Sequence, residues 1–271
     1  TSKRIRRYGN WRRKRGSYMS PATIPTIPVP PLETPERANK PLGRKSYGST
    51  AHLPTSRLGP GDHHCHEGQA VICLQKARDK HDDIIVTEKL DGSCVAIANI
   101  GGHIVALGRA GYLASTSKFE QHVLFADWVS SNRDRFDAIP EGHRVVGEWL
   151  AQAHGTRYQL THDPFVMFAL MYGEKRLNWD DTQKMAETCD LTTPRLLFRG
   201  GPFSLESAKE SIQTSGHGAL DPVEGAVWRV ERKGQFDFIA KWVRPDKKDG
   251  AYLPEVSGSE AFWNWRPTAP S

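Results

Sequence analysis

Between residues 84 and 109 three runs rich in β-branched side chains follow one another, punctuated by Asp91-Gly92 and Gly101-Gly102. Residues 84–88, 94–99 and 103–109 are therefore expected as strands, because Asp-Gly and Gly-Gly pairs supply the backbone freedom of a tight reversal. Further strands fit 144–150, 165–171, 195–198, 223–231 and 235–243. Helices fit 66–80, 180–189 and 205–213. Phe119, Val123, Ala126 and Val129 recur at helical spacing behind possible caps at Ser115 to Ser117, and this stripe is read as core. Strands and helices interleave without regular alternation, which favours an α+β architecture over a doubly wound parallel sheet.

With 271 residues, 38% of them hydrophobic, the chain has room for one large domain plus an extension. The extension is expected at residues 1–45. Lys3, Arg4, Arg6, Arg7, Arg12, Arg13, Lys14 and Arg15 crowd into it without an acid among them, and prolines from Pro21 to Pro35 favour extended, flexible chain. That run exceeds the whole net charge of +6, so charge alone does not make the remainder a nucleic-acid binder. Residues 46–271 form the expected globular domain. No apolar run approaches the roughly 20 residues of a membrane span, and the basic start does not resemble a secretory signal. Cys65, Cys73, Cys94 and Cys189 contain no CxxC pair. The expectation is a soluble cytoplasmic protein with reduced thiols and no membrane partner, monomeric by default.

The chemistry concentrates at Glu88-Lys89-Leu90-Asp91-Gly92-Ser93. A lysine ending an apolar strand is fixed in direction and partly shielded from water. Desolvation and neighbouring cations would lower its pKa and make it a usable nucleophile. A KxDG string alone is weak evidence. What strengthens it is the ordered set downstream. Gly147-Glu148-Trp149 closes one apolar strand, Phe165-Val166-Met167-Phe168 is another, Glu224-Gly225 opens a third, and Ile239-Ala240-Lys241 sits near the end of the last. Unpaired buried charge is costly, so acids and lysines at the ends of buried strands point to a site for a nucleotide and a divalent cation.

In this order and combination the motifs resemble those of the covalent nucleotidyltransferase superfamily of ATP-dependent DNA ligases, RNA ligases and capping enzymes. The chain is most similar to the RNA ligase branch typified by the phage T4 enzyme that seals nicks in duplex RNA. The resemblance implies antiparallel sheets flanked by helices with the ATP site between them. It implies Lys89 as the lysine that carries AMP, and Glu88 at the adenine edge, partly through backbone groups. Arg109 would contact the ribose or RNA end, Glu148 the ribose or metal-bound water, Phe168 the adenine face and Lys241 the α-phosphate. Glu224 would support the metal, and Asp91 with Glu148 and Glu224 would hold it largely through water. ATP and Mg²⁺, or Mn²⁺ in its place, are the implied cofactors. RNA carrying 5′-phosphate and 3′-OH ends is the implied partner. His52, His154 and Arg244 are candidates for holding the RNA end.

The sequence departs from the family pattern at three points. Ala169 follows the stacking aromatic where an acid is common, and Ile239 stands where the first of two lysines is common. Cys94 replaces the arginine that DNA ligases and capping enzymes carry after KxDG. Arg244, Lys247 and Lys248 are candidates to make up the missing charge. Thirty residues after Lys241 leave no room for an appended OB-fold, so a near-minimal core is expected. Lys40, Arg44, Lys45, Arg57 and the basic arm would then help grip RNA. A DNA nick ligase, a GTP-using capping-type enzyme and a catalytically dead RNA-binding module are the rival readings. His63-His64-Cys65-His66-Glu67 is too crowded for tetrahedral zinc and is read as a polar loop beside the site. Trp263 and Trp265 are read as capping the core.

Overall fold

The computed structural model describes residues 40–267, so most of the expected basic, proline-rich arm lies outside the described residues. Two five-stranded sheets carry the chain. The first has the order β1 (Ala51–His52), β10 (Gln235–Val243), β9 (Gly225–Arg232), β2 (Asp82–Lys89), β8 (Leu196–Gly200). The second runs β4 (His103–Gly108), β3 (Ser93–Ile100), β5 (His143–Trp149), β6 (Phe165–Tyr172), β7 (Lys175–Arg176). Every pairing is antiparallel except β1 with β10. The architecture is the α+β one that the strand pattern called for. β1 and β7 are additions, each two residues long and without a hydrophobic pattern to announce them.

Alternation along each strand sorts the side chains. In the first sheet Ile84, Val86, Ala226, Trp228, Val230, Ala240 and Trp242 face one core, closed by α1 (Glu67–Leu74) and α4 (Leu205–Ser211). The intervening residues Ile85, Thr87, Lys89, Val227, Ile239 and Lys241 line a cavity instead. In the second sheet Val95, Ile97, Val145, Trp149, Phe165 and Met167 pack with α2 (Glu120–Ser131) and with Ala186 of α3 (Trp179–Thr188). Trp149 and Trp228 are fully buried, and truncating either to alanine is expected to cost about 3–5 kcal/mol.

The helical stripe is half right: Val129 is buried and Ala126 packs against the core, whereas Val123 and Phe119 are not part of it. The buried residues of α2 are Gln121, Phe125, Trp128 and Val129, while Phe119 precedes the helix and is 40% exposed. The buried face centres on Phe125 and Trp128 because their rings meet those of Trp149 and Phe165 at 5.2–5.9 Å between centroids, a larger aromatic cluster than Val123 and Ala126 offer. Trp263 and Trp265 do pack against this core, with Trp265 edge-on to Trp149. The first helix is shorter than expected, ending at Leu74. Among the described residues no helix is long and apolar enough to cross a membrane.

Candidate active site

The turn at Leu90–Gly92 is where the chain leaves β2 of the first sheet and enters β3 of the second. Whatever it carries therefore sits at the junction of the sheets. Gly92 is required there: a Cβ would lie 2.4 Å from the carbonyl oxygen of Trp149. Register does the rest. Lys89 pairs with Gly225, which brings the preceding Glu224 alongside, and Cys94 pairs with Glu148 across β3 and β5. Sequence positions 89, 148 and 224 thus meet at the wall of a cavity of about 950 Å³.

Lys89 Nζ donates to Glu224 Oε2 at 2.6 Å and to the Leu90 carbonyl at 3.2 Å. Glu148 Oε1 accepts from Gly92 N–H at 2.9 Å. Burial pushes the Glu148 carboxyl up to about 7, although Lys89 opposes the rise. Glu224 is likewise raised by burial against the pull of Lys89. Burial by itself would lower the Lys89 pKa, but Glu224 and Glu148 outweigh it and hold the amine as ammonium. This reverses the expectation of a depressed lysine: its neighbours are acids, not cations.

The other expected residues fall into two groups. Arg109, Phe168, Lys241, Asp91 and His154 line the same cavity as Lys89, Glu148 and Glu224. Phe168 is aimed there by a bulge: Val146 pairs with Ala169 and Gly147 with Met167, leaving Phe168 as the extra residue. Its ring meets the edge of Tyr47 at 5.2 Å, and the Arg176 guanidinium covers Tyr47. Arg109 donates to the Gly48 carbonyl at 3.2 Å. Lys241 has its pKa lowered by burial and by Lys89. His154 Nε2 contacts Gln121 Oε1 at 3.1 Å and Ser93 Oγ at 3.3 Å.

The second group is committed elsewhere. Glu88 also borders the cavity, but its carboxylate accepts from Ser215 Oγ and Gly216 N–H, both at 2.7 Å, in a loop beyond the strand. That leaves its backbone to border the cavity. His52 is buried between Ser56 and Asp62, with Nε2 3.0 Å from an Asp62 oxygen, and burial with Lys241 drives it down to about 4. Arg244 pairs with Asp246 and is not among the residues lining the cavity.

Sequence reasoning gave no role to Tyr158, whose hydroxyl accepts from Asp91 N–H at 3.0 Å, or to the cluster of Ser93, Gln121 and His122. It also left Lys247 as a spare charge, whereas the side chain is buried against Asp91. No local pattern marks these residues, because each is defined by a partner far away in the chain.

The donor set suits a hard divalent cation. Glu148 Oε2 and Glu224 Oε1 have no hydrogen-bond partner among the described residues, and two carboxylates with water fit Mg²⁺ or Mn²⁺. Among the described residues no three His, Cys, Asp or Glu side chains converge into a metal cage, so any cation here would keep part of its water.

The RNA ligase family model matches residues 82–243, which spans every motif from Lys89 to Lys241. Among solved structures, a Naegleria gruberi RNA ligase variant with AMP and Mn is 14% identical, with a TM-score of 0.47 over 72% of this chain and 59% of that one. An archaeal ATP-dependent RNA ligase is 17% identical, with a TM-score of 0.43 over 73% of this chain and 48% of that one. A second Naegleria gruberi RNA ligase variant, with ATP and Mn, is 15% identical, with a TM-score of 0.46 over 79% and 64%. The chain thus spans between about half and two thirds of the length of these structures. No curated protein matches in sequence.

Proposed function

The chain belongs to the RNA ligase family, and we propose that it joins RNA ends at the expense of ATP through an adenylate carried on Lys89. The observation that carries this reading is the meeting of Lys89 with Glu148 and Glu224 in one large cavity that also holds an aromatic ring, Phe168. A nucleophilic amine, two acids and a stacking face are what adenylyl transfer from a nucleotide needs.

In the first step the Lys89 amine attacks the α-phosphorus of ATP, forming a phosphorus–nitrogen bond as the bond to pyrophosphate breaks. AMP then passes to the 5′-phosphate of an RNA end, freeing the lysine. Attack of a 3′-hydroxyl on that activated phosphate expels AMP and seals the strand. Each step is a displacement at phosphorus, where positioning and charge neutralisation supply most of the acceleration. A Mg²⁺ or Mn²⁺ ion held by Glu148 and Glu224 would neutralise phosphate charge.

The protein's own groups account for the rest. Glu224 keeps the Lys89 ammonium in place until its proton is released, and Glu148, near 7, is poised to change charge as that happens. Phe168 offers its face to the base, while Lys241 and Arg109 add positive charge at the wall of the cavity. Asp91 stands beside them with Oδ2 already occupied. His154 lines the cavity on the α2 side and suits contact with an RNA end, whereas His52 is buried against Asp62, itself 3.9 Å from Lys241, and is not among the residues lining the cavity.

The test is intact mass after incubation with ATP and Mg²⁺, alongside sealing of RNA nicks, DNA nicks and single strands. An AMP adduct on wild type and none on Lys89→Ala is expected, with RNA ends joined. No adduct, or one that survives Lys89→Ala, overturns the proposal. Sealing confined to all-DNA nicks overturns the substrate.

A further inference from the structure

Lys247 is 3% exposed, and its buried ammonium has two partners. It binds Asp91 Oδ2 and lies 3.1 Å from Thr156 Oγ1. The same Asp91 oxygen accepts from Gly155 N–H at 2.9 Å, and Asp91 N–H is held by Tyr158. Asp91 Oδ1 has no partner among the described residues. The turn that carries Lys247 hangs from the other side of the site: Lys247 N–H reaches the Arg244 carbonyl, and Arg244 N–H reaches the Glu224 carbonyl at 3.0 Å. One short segment is therefore tied by backbone to Glu224 and by side chain to Asp91. Its continuation also anchors the loop after β5, where Tyr252 N–H donates to the His154 carbonyl at 2.7 Å.

Lys247 does not line the cavity, whereas Asp91 does. Its charge is consequently not available to a phosphate in place of the lysine missing at Ile239. A buried pair is a poor device for stability alone, because desolving two charges cancels most of their attraction. What it supplies well is a fixed direction. The geometry points to Lys247 as a positioning residue: its ammonium holds the Asp91 carboxylate in one orientation, with Oδ2 committed and Oδ1 the oxygen left for the reaction. Gly155 belongs to the same device. A Cβ there would lie 2.4 Å from the Lys248 carbonyl and 2.7 Å from Lys247 Nζ, so only glycine lets the two loops close on Asp91.

This inference rests on the proposed adenylylation of Lys89, and its test separates the two. Single-turnover adenylylation is followed by intact mass in wild type, Lys247→Met, Asp91→Asn and the double variant, well below the lowest melting temperature of the four. Lys247→Met is expected to slow the saturated rate roughly tenfold to a hundredfold, the scale of a misplaced active-site group. The ATP concentration for half-maximal rate should move less than about threefold, since uniform binding is not lost. Adding Lys247→Met to Asp91→Asn should cost nothing further, because Lys247 acts through Asp91. A Lys247→Met rate within threefold of wild type, or losses that multiply in the double variant, overturns the role while leaving Lys89 chemistry intact. An unlabelled wild type overturns the adenylylation reading, and this role with it.

Discussion

Lys89 Nζ and Glu224 Oε2 lie 2.6 Å apart although 135 residues separate them in the chain. The pair fixes the amine and also keeps it protonated, since the acids outweigh the burial that would otherwise depress it. Glu224→Gln removes the nearer of the two dominant acids and leaves burial in place. The Lys89 amine is then expected to react with acetic anhydride at a lower pH than in wild type, read by peptide mass. Equal labelling curves would mean that Glu224 does not control the proton.

The two acids also make a cation site testable apart from activity. At pH 8, above the value near 7 to which Glu148 is raised, a divalent ion meets an ionised Glu148 beside Glu224, and binding to the folded state alone raises its stability by mass action. Millimolar Mg²⁺ or Mn²⁺ should raise the melting temperature of wild type by a few degrees. The Glu148→Gln/Glu224→Gln variant should show no such rise, and an equal rise in both would place the ion elsewhere.

Stability against pH carries two opposed signatures. Glu148 rises from an ordinary 4.5 to about 7, so between those values the fold holds a proton the unfolded chain has lost. Its contribution falls as pH rises through that window, by about 3 kcal/mol at most. His52 and His217 fall from 6.5 to about 4, so the unfolded chain takes up protons the fold refuses, and stability is lost as pH drops through that range. Glu148→Gln removes only the first term. Its melting temperature should gain on wild type as pH climbs from 4.5 to 7 and fall more steeply on acidification. Parallel curves would show that the Glu148 carboxyl is not perturbed.

The legible part of this molecule is its strands: the β-branched runs at 84–88, 94–99 and 103–109 mark β2, β3 and β4, and the acids and lysines at strand ends mark the site. That alternate residues of the first sheet face a core and a cavity is visible only in the structure. The reversed sign at Lys89 was not legible, because it depends on Glu148 and Glu224 arriving from other strands. Nor was the capture of the Glu88 carboxylate by Ser215 and Gly216, or of Asp91 by Lys247. β1 is two residues long and gains its place only through β10. Of the α2 stripe, Val129 and Ala126 do meet the core, but spacing alone does not show that Phe125 and Trp128 have Trp149 and Phe165 to meet.

Gly92 tests the junction between the sheets. A methyl group there meets the Trp149 carbonyl and Leu150, backbone and core side chain that have little room to give. Gly92→Ala is expected to push the turn off β5 and break the 2.9 Å bond to Glu148. Overpacking of this kind costs about 1–3 kcal/mol. Denaturant melts should show that loss, and adenylylation should fall further than stability, because Lys89 and Glu148 are displaced together. Gly92 is not at a positive φ, so its loss reports the clash alone, whereas Gly102→Ala, in open space at φ +78, reports strain without a clash.

Phe168 separates base binding from chemistry. The bulge in β6 sets its ring at the cavity, and Tyr47 with Arg176 braces it from behind. Stacking of a base on an aromatic ring is worth about 1–3 kcal/mol, and that energy is present both before and during phosphoryl transfer. Phe168→Ala should therefore raise the ATP concentration for half-maximal adenylylation by roughly tenfold to a hundredfold, with the saturated rate changed far less. Phe168→Tyr should retain most of the affinity, since the π-face is kept. Single-turnover rates across an ATP titration read both quantities. A fall in the saturated rate with unchanged half-saturation would move Phe168 from holding the base to shaping the wall around Lys89.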